Sequence, residues 1–365
     1  MPVPFLDLKA QYASIKEEVD AAIRGVVDSQ GFVLGPTVEG FEAQAASYHS
    51  VSHAIGCNSG SDAIFLALRA LGLQPGDEVI TVPHTYIATP EEIHRAGGRV
   101  RFVDVDAKTW NMDLDALKAA ITPQTKAIVP VHIYGRPVDM TKLLEIAGDI
   151  PVVEDAAQCW GARHAGKSAG AIGKIGCFSF YPTKTLGAYG DGGMVITNDP
   201  AIAANLRALR VHGEASRYHN VMHGVNSRLD AMQAAVLGVK LKYVDGWNAR
   251  RAEIAGMYRE RLSGSSITLP EPSAEGDVHV WHQHVILAPR RDQLRAKLHD
   301  AGIGTMIYYP VPQHMQSCFA DLGYKQGDFP RTERMSAESL ALPIFPEMSE
   351  AMIDEVCDTI KAFYA

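Results

Sequence analysis

Residues 152–193 decide how this chain is interpreted. The stretch begins VVEDAAQ, continues through a glycine-rich segment, and ends CFSFYPTKTLGAYGDGG. The apolar run that ends at Asp155 predicts a buried strand with a carboxylate at its C-terminal end. A second strand is predicted over residues 177–181, and Lys184 follows it closely. The sequence therefore predicts an acid and a lysine at neighbouring strand ends.

A buried acid and a lysine in this arrangement suit pyridoxal phosphate. The lysine can carry that cofactor as a Schiff base, and the aspartate can keep the pyridine nitrogen protonated so that the ring withdraws electrons. A structural Asp–Lys ion pair, common in α/β proteins, explains the same two residues. The pairing alone leaves both interpretations open.

Three linked motifs favour the cofactor. E-D-A-A-Q occupies residues 154–158, S-F-x-P-x-K residues 179–184 and G-x-x-G-D-G-G residues 187–193. In this order the motifs resemble the pyridoxal-phosphate sugar aminotransferases of the DegT/DnrJ/StrS type, and the resemblance runs from PFLDL at residues 4–8 to about Pro346. It implies pyridoxal 5'-phosphate as cofactor, with pyridoxamine phosphate in the half-reaction, and makes Lys184 and Asp155 the catalytic residues.

The resemblance and the element order predict an α/β protein with the aspartate-aminotransferase (type I) fold. Strands predicted at 53–57, 79–83, 100–105 and 127–131 alternate with helices, as in a mostly parallel sheet. Residues 1–245 are predicted to form the large cofactor-binding domain, with an N-terminal helical arm at 8–27. Residues 246–365 are predicted to form a smaller C-terminal α/β domain with strands at 279–286 and 304–308.

Composition excludes several other classes. A formal net charge of −8 and the lack of a long basic run argue against a nucleic-acid partner. No apolar run reaches the length of a membrane span, and the N-terminus resembles no signal peptide. The five cysteines have no paired spacing, which fits a cytoplasmic protein without a zinc site or disulfide framework; they are Cys57, Cys159, Cys177, Cys318 and Cys357.

Further cofactor contacts follow from the resemblance. The small-residue turn that opens a helix after residue 57 is a suitable phosphate site, although Ser61 or Asp62 could merely cap the helix. Tyr86 is expected to stack on the pyridine ring, the alternative being a core tyrosine. Gln158 is expected near the ring hydroxyl unless it is a polar core residue. The expected cofactor ligands are Gly60, Ser61, Tyr86, Asp155, Gln158, Ser179, Lys184 and Asn226.

The polar segment 213–230 is expected at a subunit interface. The resemblance implies a homodimer with shared active sites, in which Asn226 contacts the cofactor phosphate of the other subunit. The letters R-Y-H-x-x-x-x-G-x-N-S-R-L-D resemble members that aminate the C-3 keto position of nucleotide sugars, whereas C-4 enzymes more often carry G-x-N-Y-R. Arg228 could bind a sugar carboxylate or nucleotide phosphate, or form an interface salt bridge.

Two other patterns are weighed against this interpretation. Residues 161–168 match the phosphate-binding pattern G-x-x-x-x-G-K-S, but the glycine-rich stretch after them cannot start the helix that the pattern needs, so a surface loop or hairpin is predicted. His282 and His284 share a face of the predicted 279–286 strand without a third ligand of suitable spacing, so no metal is expected. Tyr308 and Tyr309 match an H-Y-P-x-P segment that borders the substrate pocket, with Tyr308 in place of the usual histidine.

The expected function is transfer of an amino group, with glutamate as donor and 2-oxoglutarate as product, to the C-3 keto carbon of a nucleotide-linked hexose. Amination at C-4 is an alternative within the same chemistry. Sugar dehydration is disfavoured because related dehydratases carry histidine where this chain has Lys184. A non-catalytic sensor that binds the cofactor or a sugar nucleotide is an alternative from another class.

Overall fold

The computed structural model describes residues 2–365. The helices are α1 (Leu8–Ser29), α2 (Pro36–His49), α3 (Gly60–Ala70), α4 (Ala88–Arg95), α5 (Leu114–Ala120), α6 (Met140–Ala147), α7 (Pro200–Leu209), α8 (Ala231–Lys240), α9 (Val244–Leu262), α10 (Arg291–Asp300), α11 (Pro330–Glu338) and α12 (Glu350–Tyr364). The strands are β1 (His53–Cys57), β2 (Glu78–Thr81), β3 (Arg99–Phe102), β4 (Thr125–Ile128), β5 (Val153–Asp155), β6 (Arg163–His164), β7 (Lys167–Ser168), β8 (Ile175–Ser179), β9 (Gly193–Thr197), β10 (Glu214–Ser216), β11 (His219–Asn220), β12 (His284–Leu287) and β13 (Ser339–Leu342).

The central sheet has the order β1-β9-β8-β5-β4-β2-β3. Two groups of strands, β1-β9-β8-β5 and β3-β2-β4, are joined by parallel bridges from Ile128 to Val152 and from Val131 to Asp155. Strands β8, β5, β4, β2 and β3 run parallel, whereas β9 is antiparallel to both of its neighbours. The predicted mostly parallel sheet flanked by helices is confirmed.

The sheet is buried on both faces, which explains its apolar strands. Along β8, Ile175 and Cys177 pack with α3 and α7, whereas Phe178 packs with α2 and α8 on the opposite face. Successive side chains of a strand point to opposite faces, so an apolar run is required where helices cover both. Each such large side chain contributes about 1.5–3 kcal/mol when fully buried.

The C-terminal part of the chain has a smaller core around the antiparallel pair β12–β13. Apolar residues of α9, α10 and α12 meet there, including Tyr258, Leu298 and Ile353. Val3, near the N-terminus, is buried in the same cluster and forms a parallel bridge with Ile303. The N-terminal segment therefore packs on this C-terminal core.

Of the two strands predicted in the C-terminal part, 279–286 is confirmed only in its second half, as β12, and 304–308 is wrong. Regular pairing begins only at His284, because the amides of Val280 and Gln283 bond to the carbonyls of Gly135 and Tyr134 instead of a neighbouring strand. Residues 304–308 form no strand, and a single bridge joins Met306 to Ala341. The edge of this small sheet is therefore irregular where it meets the large one.

The segment that resembles a phosphate-binding loop is a hairpin, as predicted. Arg163 pairs with Ser168 and His164 with Lys167 in an antiparallel β6–β7 ribbon. Its turn places Ala165 and Gly166 at φ 48° and 77°. No helix follows, so a cradle of helix N-terminal amides is not formed.

The polar segment after α7 contains one short, exposed hairpin, β10–β11. Tyr218, at its turn, is 84% exposed. Within residues 2–365, none of the helices is both long and apolar enough to cross a bilayer.

Candidate active site

Asp155 ends β5 and is buried, with 5% of its surface exposed. Its Oδ2 accepts a hydrogen bond from the Thr89 hydroxyl at 2.7 Å, and its Oδ1 accepts from the Ala157 amide at 3.1 Å. Burial raises the pKa of Asp155, and these two hydrogen bonds oppose that rise. The carboxylate is held in one orientation at the end of a central strand, where parallel sheets place their ligands.

Lys184 lies in the turn after β8, the strand that pairs with β5. Its amide bonds to the Tyr181 carbonyl at 2.8 Å, which fixes the turn. Burial lowers the pKa of Lys184 to about 8, against the attraction of Asp155, which raises it. A lysine that loses its proton near neutral pH can act as a nucleophile toward a carbonyl.

Two glycines, Gly60 and Gly193, allow chain segments to approach closely at the N-terminus of α3. Ser59 is the helix cap, with its hydroxyl accepting from the Asp62 amide at 3.1 Å, so the predicted alternatives Ser61 and Asp62 are not the cap. A Cβ on Gly60 would lie 2.6 Å from the Ser179 Cβ, and one on Gly193 would lie 2.2 Å from the Ser59 carbonyl oxygen. This close approach brings Ser179 beside the first amides of α3, a donor set suited to phosphate.

Gln158 and Tyr309 are hydrogen-bonded to each other. The Gln158 Nε2 donates to the Tyr309 hydroxyl at 3.2 Å. Tyr309 in turn lies 6.2 Å from Tyr86 and 5.6 Å from Tyr308, measured between ring centroids. Tyr86 is 58% exposed, so the alternative of a core tyrosine is wrong. The structure therefore brings these four predicted residues together.

Asn226 and Arg228 form no hydrogen bond or ion pair with that group in the described residues. Asn226 is exposed, and its backbone bridges Val211. Between them, Ser227 is buried and accepts a hydrogen bond from the Asn58 amide at 3.2 Å. Asn58 lies two residues before Gly60. Within residues 2–365, no hydrogen bond or ion pair joins Asn226 or Arg228 to the Asp155–Lys184 pair.

His284 and the open cavity of the large sheet lie outside this site. His282 is buried, and it is close enough to Lys184 for the charge of that lysine to add to burial in lowering the pKa of His282. His284 stacks near Trp281 and Tyr258, and burial lowers its pKa to about 3. Among residues 2–365, no group of three or more His, Cys, Asp or Glu side chains is arranged to hold a metal ion. A cavity of about 560 Å³ between β3 and residues 322–329 contains none of the predicted site residues.

Three residues at the site were not predicted. Thr89 holds Asp155, and its hydroxyl also lies 2.9 Å from that of Thr85. His84 and Tyr134 are buried and linked by a 2.7 Å contact between Nε2 and the phenol oxygen. Both come after strands of the parallel sheet, β2 and β4, and this shared strand-end position is the signal that could have identified them.

A buried acid, a lysine of lowered pKa and a helix N-terminus beside a serine together define the class of pyridoxal-phosphate enzymes with the aspartate-aminotransferase fold. The acid suits a pyridine nitrogen, the lysine an aldehyde and the helix end a phosphate. Residues 13–361 match the model of the DegT/DnrJ/EryC1/StrS aminotransferase family. The chain belongs to this family and is an aminotransferase.

Curated relatives cover almost the whole chain. A pleiotropic regulatory protein of Geobacillus stearothermophilus is 47% identical over 100% of this chain and 99% of its own. The dTDP-3-amino-3,4,6-trideoxy-alpha-D-glucose transaminase of Streptomyces venezuelae is 45% identical, with 98% and 95% covered. The UDP-N-acetyl-3-dehydro-alpha-D-glucosamine 3-aminotransferase of Acidithiobacillus ferrooxidans is 43% identical, with 98% and 97% covered.

Solved structures confirm the fold. The crystal structure of DesV from S. venezuelae, in complex with a ketimine intermediate, has a TM-score of 0.97 at 44% identity, covering 100% of this chain and 98% of that one. NtdA from Bacillus subtilis, with bound cofactor PMP, has a TM-score of 0.92 at 33% identity, covering 98% and 84%. The expected pyridoxal and pyridoxamine phosphate cofactor is thus confirmed at the level of the family.

Proposed function

We propose that this chain transfers an amino group from L-glutamate to the C-3 keto carbon of a nucleotide-linked keto-hexose. The observation that carries the proposal is the buried Asp155 carboxylate beside Lys184, whose pKa is lowered to about 8. The names of two relatives with more than 40% identity, a dTDP-3-amino sugar transaminase and a UDP-3-dehydro sugar 3-aminotransferase, support the C-3 position.

Each residue near the pair has a role in this proposal. When bound, pyridoxal phosphate supplies an electron-withdrawing ring that stabilises negative charge on the carbon losing a proton. Asp155 would accept a hydrogen bond from the protonated pyridine nitrogen, and Lys184, as a free amine, would move the proton at the reacting carbon. Gly60, Ser61 and Ser179 would hold the phosphate, Gln158 would contact the ring hydroxyl, and Tyr86 would cover one ring face.

The reverse half-reaction tests the position of transfer. The yellow enzyme is mixed separately with dTDP- and UDP-linked 3-amino and 4-amino hexoses, and glutamate serves as the control donor. Bleaching of the visible band by a 3-amino sugar supports the proposal, whereas bleaching by 4-amino sugars alone overturns the C-3 assignment. Lys184→Ala is expected to lose the visible band and turnover together, and retained transfer would overturn the role of Lys184.

The active unit proposed is a homodimer with shared sites. The exposed hairpin β10–β11 and the exposed Asn226 support this arrangement, because they present polar and apolar side chains that the chain itself does not cover. Arg228 is then available to an anionic substrate group or to an interface salt bridge. Mixing inactive Lys184→Ala and Asn226→Ala proteins should restore up to about a quarter of the wild-type activity, since half the dimers are hybrids with one intact site. Mixtures that stay inactive contradict shared sites.

A non-catalytic regulator is the second candidate. It is favoured by the name of the Geobacillus relative, a pleiotropic regulatory protein at 47% identity. Multiple turnover of glutamate and a keto-sugar nucleotide by the purified protein would reject the regulator hypothesis. A protein that binds the sugar nucleotide with its visible band intact, and without turnover, supports it.

Tyr308 and Tyr309 are proposed to border the sugar, and the domain boundary is proposed between residues 245 and 246, within α9 (Val244–Leu262). We propose that the protein works in the cytoplasm, where keto-sugar nucleotides are made and glutamate is abundant. Cell fractionation checks the location, and limited proteolysis checks the boundary.

A further inference from the structure

The side-chain amide of Gln158 has a fixed orientation. Its Oε1 lies 2.6 Å from the backbone nitrogen of Tyr134. A backbone N–H can only donate, so the atom facing it must be the amide oxygen, and the assignment of oxygen and nitrogen in this side chain is settled by chemistry. The NH₂ group of Gln158 is therefore turned away from Tyr134.

Tyr134 is itself held in a conformation that few non-glycine residues adopt. Its φ is 59° and its ψ is 8°, in the left-handed region, which costs of order 1–3 kcal/mol unless the surroundings impose it. The buried phenol supplies the constraint: its hydroxyl donates to the Tyr308 carbonyl at 2.6 Å and lies 2.7 Å from the His84 Nε2. The side chain of Tyr134 thus fixes the direction of its own backbone N–H.

The protonation of His84 follows from these contacts. The hydrogen of the Tyr134 hydroxyl is used toward the Tyr308 carbonyl, so His84 must donate from Nε2. Burial lowers the pKa of His84 to about 4, which keeps the ring neutral with its hydrogen on Nε2. Asp104 is the charged group that opposes this shift, and burial outweighs it. The His84–Tyr134–Tyr308 chain is therefore stable across the neutral pH range.

Two hydrogen-bond donors on Gln158 and Tyr309 remain without a partner in the described residues. The Gln158 Nε2 donates one hydrogen to the Tyr309 hydroxyl and keeps a second. Since the Tyr309 oxygen accepts from Gln158, its own hydrogen is directed elsewhere, and no hydrogen bond within residues 2–365 uses it. The second N–H of Gln158 and the O–H of Tyr309 are therefore available to a bound molecule.

We propose that Tyr134 is a positioning residue that holds Gln158 with its NH₂ group toward the ring oxygen of the bound cofactor. The inference rests on the proposed placement of pyridoxal phosphate between Asp155 and Lys184. Hydrogen bonds donated to a phenolate oxygen stabilise negative charge on it. Negative charge on the ring oxygen is greatest when the nitrogen that joins Lys184 to the cofactor has lost its proton. The donors therefore lower the pH at which the visible band of the bound cofactor changes.

Spectral titration of the cofactor-loaded enzyme tests the inference without an activity assay. Tyr134→Phe removes the phenol hydrogen bonds, and His84→Leu removes the donor to the same phenol. Both are expected to move the midpoint of the visible band upward by roughly 1 pH unit. His84→Gln keeps a donor at the position of Nε2 and is expected to titrate like wild type. Gln158→Glu keeps the acceptor for Tyr134, loses the NH₂ group, and should shift upward most.

A matched control separates this role from general loss of stability. Tyr258→Phe removes another buried phenol that donates to a carbonyl, that of Pro343 at 2.9 Å, in the C-terminal core. It should lower the melting temperature and leave the titration unchanged. If Tyr134→Phe does not fold, the difference in titration midpoint between His84→Leu and His84→Gln tests the role of Tyr134 instead.

The inference is overturned if the Tyr134 and His84 variants titrate like wild type while Gln158→Glu is shifted. An unchanged midpoint in Gln158→Glu also overturns it, because the amide would then not reach the ring oxygen. If wild-type protein supplied with pyridoxal phosphate shows no visible band, the proposed function itself fails. These outcomes therefore distinguish a wrong role for Tyr134 from a wrong site.

Discussion

The hydroxyl of Thr89 donates to Asp155 Oδ2 at 2.7 Å, so the central acid of the site is oriented by helix α4, which is distant from Asp155 in sequence. The Thr85 hydroxyl lies 2.9 Å from that of Thr89 and can complete the chain by donating to it. Both threonines are buried. Asp155 is thus fixed by α4 as well as by its own strand.

Thr89→Val should weaken cofactor binding by about 10-fold or more, because a hydrogen bond to a charged group contributes about 1.5–3 kcal/mol. Valine has nearly the same shape, so the change removes the hydroxyl and little else. Thr89→Ser keeps the donor and is the control. Equilibrium binding of pyridoxal phosphate measures the effect, and equal affinities for the two variants would contradict this role.

Uptake of pyridoxal phosphate by cofactor-free protein should accelerate as pH rises through about 8. The pKa of Lys184 is lowered to about 8 by burial, so its reactive neutral amine is present above that pH and is lost below it. Stopped-flow growth of the visible band gives the rate at each pH. A rate that keeps rising toward pH 10 would show a lysine of ordinary pKa.

Glu154→Gln should destabilise the protein by about 3 kcal/mol. The buried carboxylate of Glu154 has only hydrogen-bond donors as partners, and the NH₂ group of glutamine would face one of them. Glu154 accepts from the His132 Nε2 at 2.8 Å and from the amides of Gly170, Ile172 and Gly173 at 2.5–2.8 Å. Urea unfolding measures the loss. Glu253→Gln, at an exposed i,i+3 pair with Arg250, is the control and should change stability little.

Lys240→Met should flatten the dependence of stability on pH between about 8 and 10.5. Lys240 is buried, donates to the Gly187 carbonyl at 2.7 Å, and has its pKa lowered by burial to about 8. In this window the unfolded chain binds more protons than the folded one, so wild-type stability rises with pH, by at most about 1.4 kcal/mol per unit from this group. Urea midpoints at pH 8 and 9.5 compare the two proteins, and identical slopes would contradict the shift.

Lys167→Ala should leave transfer activity and cofactor binding unchanged. Neither the wild-type protein nor the Lys167→Ala variant should bind MgATP. Lys167 lies in the exposed β6–β7 hairpin, where no helix N-terminus faces the GKS letters. Calorimetry with MgATP checks the binding. A dissociation constant in the micromolar range that is lost in Lys167→Ala would reverse this interpretation.

The sequence was informative where chemistry and secondary structure coincide. Asp155 and Lys184 each lie at or just after the end of an apolar run, and parallel strands bring such residues to the same edge of a sheet, so their proximity could be predicted. Ser59 was missed as the cap of α3, because Ser61 and Asp62 are equally good capping residues in the same turn.

The rest depended on contacts between distant segments. Residues 279–283 belong to the predicted strand 279–286, but the sequence cannot reveal that the amides of Val280 and Gln283 bond to the carbonyls of Gly135 and Tyr134. Nor can the letters around Tyr134 predict a left-handed backbone, which its buried phenol imposes through His84 and the Tyr308 carbonyl. Such positions are fixed by tertiary structure.

The pairing of β1 with β9 also bears on how the chain is made. Cys57 faces Gly193, so the first strand of the sheet has no neighbour until the ribosome has released residue 197. At typical rates of translation this delay is on the order of 10 s. During this delay the backbone N–H and C=O groups of β1 have no strand to pair with, so the nascent chain keeps an open strand edge until β9 emerges.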